Sequence, residues 1–157
     1  MAEPIDIPSL AVLDTLLSTN KYLVLDFWAV WCPPCKAMSP MFTKLAQEHA
    51  VPGVLAFGKV DVDEAPDVAS KFGVTAMPSF LFIVDGDAEK GVEVGEAVVG
   101  GGLVKAAAAD AGAGNVVKAI RGADPKNLKA VVEVLGGLAK AEAPGDAEVS
   151  TTDGGVV

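Results

Sequence analysis

An α/β fold, one mixed sheet flanked by helices on both faces, is what this chain predicts, and three observations predict it. Strand-like apolar runs alternate with amphipathic helical segments through the first half of the chain. The run 22–29 is apolar at nearly every position, as a strand covered on both faces is. The last two strand candidates, 79–84 and 116–120, have no helical pattern between them, so the sheet is expected to close on an antiparallel hairpin.

Residues 7–20 place Leu10, Leu13, Leu16 and Leu17 at helical spacing and read as the first helix. The strand 22–29 follows, with one residue out of character, Asp26. From Pro34 the pattern turns helical again. Met38, Met41, Phe42, Leu45 and Ala46 recur at three and four, and the segment stops near Ala50, ahead of Pro52-Gly53. Pro40 lies inside it and is expected to kink it. Residues 54–62 form a second strand candidate, 66–72 a short helix halted at Gly73, and 79–84 an apolar strand ending at Asp85-Gly86.

Periodicity then weakens. Residues 86–115 are rich in Gly, Ala and Val, and read as a low-complexity, flexible insertion without packed elements. One register would make 92–99 the last strand, Gly100 a groove glycine and 103–111 the last helix. The later register is better formed: a strand at 116–120, then Asp124 as N-cap, Pro125 at the first helical position, and Leu128, Val131, Val132 and Leu135 on one face. The expectation is one domain, 1–140, carrying the insertion 86–115, followed by an acidic tail, 141–157, with no core residues and no fixed structure.

The chain has a net charge of -9 and no Lys/Arg-rich run, which disfavours nucleic-acid partners. No stretch approaches the length of a membrane span, and residues 1–6 lack the charges and apolar run of a signal peptide. A cytoplasmic protein is expected. Its two cysteines lie three apart. A reducing compartment does not favour structural disulfides, and so tight a bridge would restrain little chain, so the pair points to chemistry.

Trp31-Cys32-Pro33-Pro34-Cys35-Lys36 falls where a strand ends and a helix begins. Free N–H groups and the positive end of the helix dipole stabilise a thiolate there. Cys32 is expected to face outward as the nucleophile, with Cys35 tucked beneath it as the resolving thiol. Asp26, desolvated in its apolar strand, should have a raised pKa and suit a proton acceptor for Cys35; Lys59, on the next strand, is expected near it. The alternative is that Asp26 is a hydrogen-bonded buried group with no part in the chemistry. A zinc site needs about four ligands, and the chain offers only His49 besides the cysteines, on a helix face expected to be solvated. No metal, flavin or nucleotide cofactor is expected. Phe27, Trp28, Phe80, Leu81 and Phe82 read as core, whereas Trp31 beside the thiols reads as a shield or a partner contact.

Five motifs in order carry a family resemblance: Asp26-Phe27-Trp28-Ala29, the Trp31–Lys36 segment with Pro40, Lys59-Val60-Asp61-Val62-Asp63, Thr75-Ala76-Met77-Pro78, and Gly122-Ala123. Over residues 5–86 and 116–140 the chain resembles the thioredoxins. The resemblance implies the thioredoxin fold, with the insertion in its last hairpin, and protein-disulfide reduction through Cys32 and Cys35. Asp26 would be the buried acid–base group with Lys59 as neighbour, and Pro78 would be cis. Trp31, Pro33, Pro34, Met77, Pro78, Gly122 and Ala123 would line the groove for an extended substrate segment. Disulfide-containing proteins would be the substrates and an NADPH-dependent thioredoxin reductase the electron donor, with the chain acting as a monomer. The insertion, at a hairpin tip remote from the cysteines, should spare the catalytic end. Many members carry Gly-Pro between the cysteines. Pro33 in place of glycine removes an N–H and is expected to make the pair more reducing. Two rival functions are a binding or holdase module whose thiols are incidental, and a reductase dedicated to a single partner.

Overall fold

The computed structural model describes residues 3–95, 103–105 and 116–143. Its elements are β1 (Ile5–Asp6), α1 (Leu10–Thr19), β2 (Tyr22–Trp28), α2 (Pro33–His49), β3 (Leu55–Asp61), α3 (Pro66–Lys71), β4 (Ser79–Val84), β5 (Val92–Glu93), β6 (Leu103–Lys105), β7 (Val116–Arg121) and α4 (Pro125–Glu142). β1, β3 and β2 run parallel, and β4 and β7 follow antiparallel, giving the mixed sheet that the sequence predicts.

Period-two alternation divides the core between two faces. On β4, Phe80, Phe82 and Val84 point to the face covered by Met38, Phe42 and Leu45 of α2 and Leu128, Val131 and Leu135 of α4. Leu81 and Ile83 point to the other face, where Leu13 and Leu16 of α1 and Val68 and Ala69 of α3 pack. Helix ends follow their caps. Ser9 accepts a hydrogen bond from the Val12 N–H at 3.3 Å, and Asp124 accepts one from the Asn127 N–H at 3.2 Å. Gly73, at φ +66°, follows the end of α3 in the left-handed conformation that glycine adopts without strain. β7 and α4 confirm the later register for the last strand and helix.

Four features depart from the sequence reading, the first being a strand that it does not contain. β1 has no apolar signature, since both its residues are exposed; it exists because it pairs with Gly58 and Lys59 of β3. Residues 86–115 are not without packed elements. β5 carries the buried Val92, and β6 pairs with β7 at Leu103↔Ile120 and Val104↔Ala119. Ala119 and Ile120 also pair with β4, so β4 and β6 flank β7 on opposite edges. The insertion therefore reaches the half of β7 that leads into Gly122, rather than staying at the remote end. Gly100 and residues 106–111, part of the alternative register, lie outside the described residues.

The third correction concerns the end of α4, which runs past residue 140 to Glu142. There the Glu142 carboxylate accepts hydrogen bonds from Lys21 Nζ at 2.7 Å and the Tyr22 hydroxyl at 2.5 Å. The rest of the expected tail, 144–157, lies outside the described residues. The fourth concerns His49. Its side chain is only 16% exposed, and it packs on Gly136 of α4, where an added Cβ would come within 2.5 Å of Nδ1. Among the described residues no helix is long and apolar enough to cross a membrane.

Candidate active site

The parallel pairing of β2 with β3 brings Trp28 opposite Asp61, and its antiparallel pairing with β4 brings Phe27 opposite Ser79; Ser79 in turn pairs with Arg121. These registers gather the end of β2, the start of β4 and the end of β7 at one end of the sheet. Cys32 is the N-cap of α2 at that end. Cys32 and Cys35 are disulfide-bonded, with Cα atoms 5.3 Å apart.

The first turn of α2 explains the electrostatics of Cys32. Pro33 and Pro34 occupy its first two positions and have no N–H. Of the first three helical residues only Cys35 can donate, and its N–H lies 3.2 Å from Cys32 Sγ. Both prolines are exposed. Cys32 is 4% exposed and Cys35 3%, so the outward-facing first thiol expected from sequence is not found in the disulfide state. The two cysteines pack with Ala29, against Trp28, Val62 and Met77.

Trp31 is the opposite case, 62% exposed next to Cys32. Its indole N–H donates to Asp63 Oδ2 at 2.9 Å, which pins the ring across the site. Sequence reasoning missed this role of Asp63, although Asp61-Val62-Asp63 was among the motifs. Met77-Pro78 is cis, as expected, and Pro78 is buried. The Gly122 N–H donates to the Pro78 carbonyl at 2.8 Å with Gly122 at φ +96°, and the Ser79 hydroxyl donates to the Ala76 carbonyl at 2.6 Å. The proline loop and the start of the β7–α4 connection are thus stitched together beside the cysteines. Ala123, next in line, is exposed.

Asp26 is 1% exposed, with Lys59 opposite it on β3 and Phe80 opposite it on β4. Its Oδ1 is buried with no hydrogen-bond partner among the described residues. Burial drives its pKa up from 3.8 to about 7, with the Lys59 charge pulling the other way. The Lys59 ammonium itself donates to Ser39 Oγ at 3.2 Å and sits 5.0 Å from the centroid of the Trp28 ring. Ser39 went unnoticed in the sequence because a lone serine on a helix carries no signal. Among the described residues no group of three His, Cys, Asp or Glu side chains is placed to hold a metal ion, and His49 stands apart at the far end of α2.

Comparison with known proteins places this geometry. The thioredoxin family model matches residues 11–106. A thioredoxin-like protein of Fusarium culmorum is 44% identical over 134 residues, covering 85% of this chain and 91% of the relative. A thioredoxin of Neurospora crassa is 39% identical over 128 residues, covering 82% of this chain and 83% of the relative. Among solved structures, oxidised mitochondrial thioredoxin 3 of Saccharomyces cerevisiae superposes with a TM-score of 0.58 at 32% identity, over 83% of this chain and 93% of that one. The family model stops short of β7 and α4, which the structure supplies after the insertion. Profile, near full-length relative and fold agree with the paired cysteines: the chain belongs to the thioredoxin family and is a thiol–disulfide oxidoreductase.

Proposed function

We propose that the chain reduces protein disulfides, with Cys32 as the attacking thiol, Cys35 as the resolving thiol and Asp26 as the proton acceptor. The observation that carries this reading is the Cys32–Cys35 disulfide capping a helix, in the same strand–helix unit as a buried carboxyl whose pKa is about 7. The Cys32 thiolate attacks one sulfur of the substrate; a mixed disulfide forms, the substrate bond breaks, and the departing sulfur takes a proton. Cys35 gives its proton to the Asp26 carboxylate and attacks Cys32 Sγ. The Cys32–Cys35 bond forms, and the second substrate sulfur leaves and is protonated. Two electrons pass from the dithiol to the substrate. A carboxyl titrating near neutrality can both accept that proton and release it. The groove of Trp31, Pro33, Pro34, Met77, Pro78, Gly122 and Ala123 receives the substrate segment, and an NADPH-dependent reductase in the cytoplasm restores the dithiol.

The two prolines tune the pair. With Pro33 and Pro34 both lacking N–H groups, the Cys32 thiolate has fewer donors than a Gly-Pro turn offers. Pro33→Gly restores one, which stabilises the reduced form. Its reduction potential is expected to be less negative than that of the wild type, by roughly 30 to 60 mV for one hydrogen bond to a charged sulfur. Equilibration against a glutathione buffer measures it, and a more negative value in the variant would refute the assignment.

Reduction of a disulfide-bonded test protein, with dithiothreitol as electron source, tests the proposed activity. The expected result is reduction many times faster than by dithiothreitol alone. A rate equal to that background rejects the reading.

A further inference from the structure

On the face of the sheet covered by α1 and α3 lies a cavity of about 310 Å³. Its floor is apolar, with Leu81 and Ala119 from the sheet and Phe72 and Val104 at the sides. Lys71 and Arg121 line it as well, and both are exposed. Arg121 is the only arginine in a chain of net charge -9. Lys118, also at the cavity, is neutralised by Glu89 at 2.6 Å, whereas neither Lys71 nor Arg121 has a salt-bridge partner among the described residues. Two cations without a carboxylate partner among the described residues, over an apolar floor, form a local positive patch.

The cavity adjoins the groove on two chain segments. Ser79, in its lining, follows the cis Pro78, and Arg121 precedes Gly122, whose N–H holds the Pro78 carbonyl. A substrate segment lying against Pro78 and Gly122 therefore passes its edge. At this size the cavity is at the lower limit for a small-molecule site but ample for one side chain with its hydration.

Building on the disulfide-reductase reading above, we propose that this cavity is a subsite for an acidic side chain of the protein substrate, flanking its disulfide. The carboxylate is held between Arg121 and Lys71, with the planar guanidinium offering a two-pronged contact, while the methylene groups rest on Leu81 and Ala119. A lysine in the same place meets two like charges, so the subsite selects by repulsion as well as attraction.

Disulfide-bonded peptides test this, with Glu, Gln or Lys placed in turn at each of the three positions on either side of a cysteine. kcat/KM is measured for each. At one position the Glu peptide is expected to exceed the Gln peptide roughly 5- to 10-fold, with the Lys peptide slower still. That ratio should shrink as salt is raised and collapse towards one in Arg121→Gln and Lys71→Gln, while Arg121→Lys keeps part of it. Because the ratio is taken within each protein, a general loss of activity cancels. Equal rates for Glu and Gln peptides at every position, or a preference that survives Arg121→Gln, overturn the subsite while leaving the reductase reading intact. No turnover of any peptide above background overturns the reductase reading itself.

Discussion

Asp26→Asn is expected to make the protein more stable at pH 8 by up to about 4 kcal/mol, while leaving its stability near pH 3.5 almost unchanged. The folded protein holds the Asp26 proton up to a pKa of about 7, against 3.8 for the ordinary carboxyl. A group whose pKa is raised by folding stabilises the fold fully below its unfolded value and loses that contribution as pH rises through the folded value. Wild-type stability attributable to Asp26 therefore falls between about pH 4 and pH 7 and levels off above. At ~1.36 kcal/mol per tenfold change in proton affinity, the gap between 3.8 and about 7 amounts to about 4 kcal/mol. Asparagine is neutral throughout and avoids the cost of burying a charge. Denaturant unfolding of both proteins at the two pH values measures the difference. Equal stability gaps at both would mean that Asp26 does not titrate in this range. The same variant is expected to slow resolution of the mixed disulfide roughly tenfold or more, because Cys35 loses its base. Stability gained and rate lost at one position is the signature of a group retained for chemistry.

Cys32→Ser and Cys35→Ser are each expected to abolish turnover of a protein disulfide above the dithiothreitol background, and for different reasons. Without Cys32 no attack occurs. Without Cys35 the attack proceeds once and halts at the mixed disulfide, since the nearest resolving sulfur is gone. A single-turnover experiment without added reductant separates them. Cys35→Ser should release one substrate thiol per protein at close to the wild-type initial rate, and Cys32→Ser none. Equal release from both variants would mean that either sulfur can attack, and would remove the distinction between the two positions.

What was legible in the sequence follows from where the information sits. The β2 run, the apolar run 79–84 and the Asp124-Pro125 cap are local signals, and the structure follows each of them. The misplaced polarity of Asp26 was visible for the same reason. β1 and β6 are too short to show a period and owe their existence to pairing with β3 and β7. The pattern of α2 alone puts His49 on a solvated face; Gly136, on α4, leaves the room that buries it. At the site, the motifs named the cysteines, Asp26, Lys59 and Pro78. The partners that hold the rest, Asp63 for Trp31 and Ser39 for Lys59, are single contacts across elements that no pattern in one segment announces. The low exposure of Cys32 is likewise a tertiary fact, set by the packing of Ala29, Val62 and Met77 around the bridge.

The most direct measurement is to trap the intermediate: mix reduced Cys35→Ser with a disulfide-bonded test protein, isolate the covalent adduct, and locate its sulfur linkage by mass spectrometry. A one-to-one adduct joined through Cys32, cleaved by dithiothreitol and absent from Cys32→Ser, is the expected result. An adduct formed only by Cys32→Ser and joined through Cys35, or none from either protein, would contradict attack by Cys32 and resolution by Cys35.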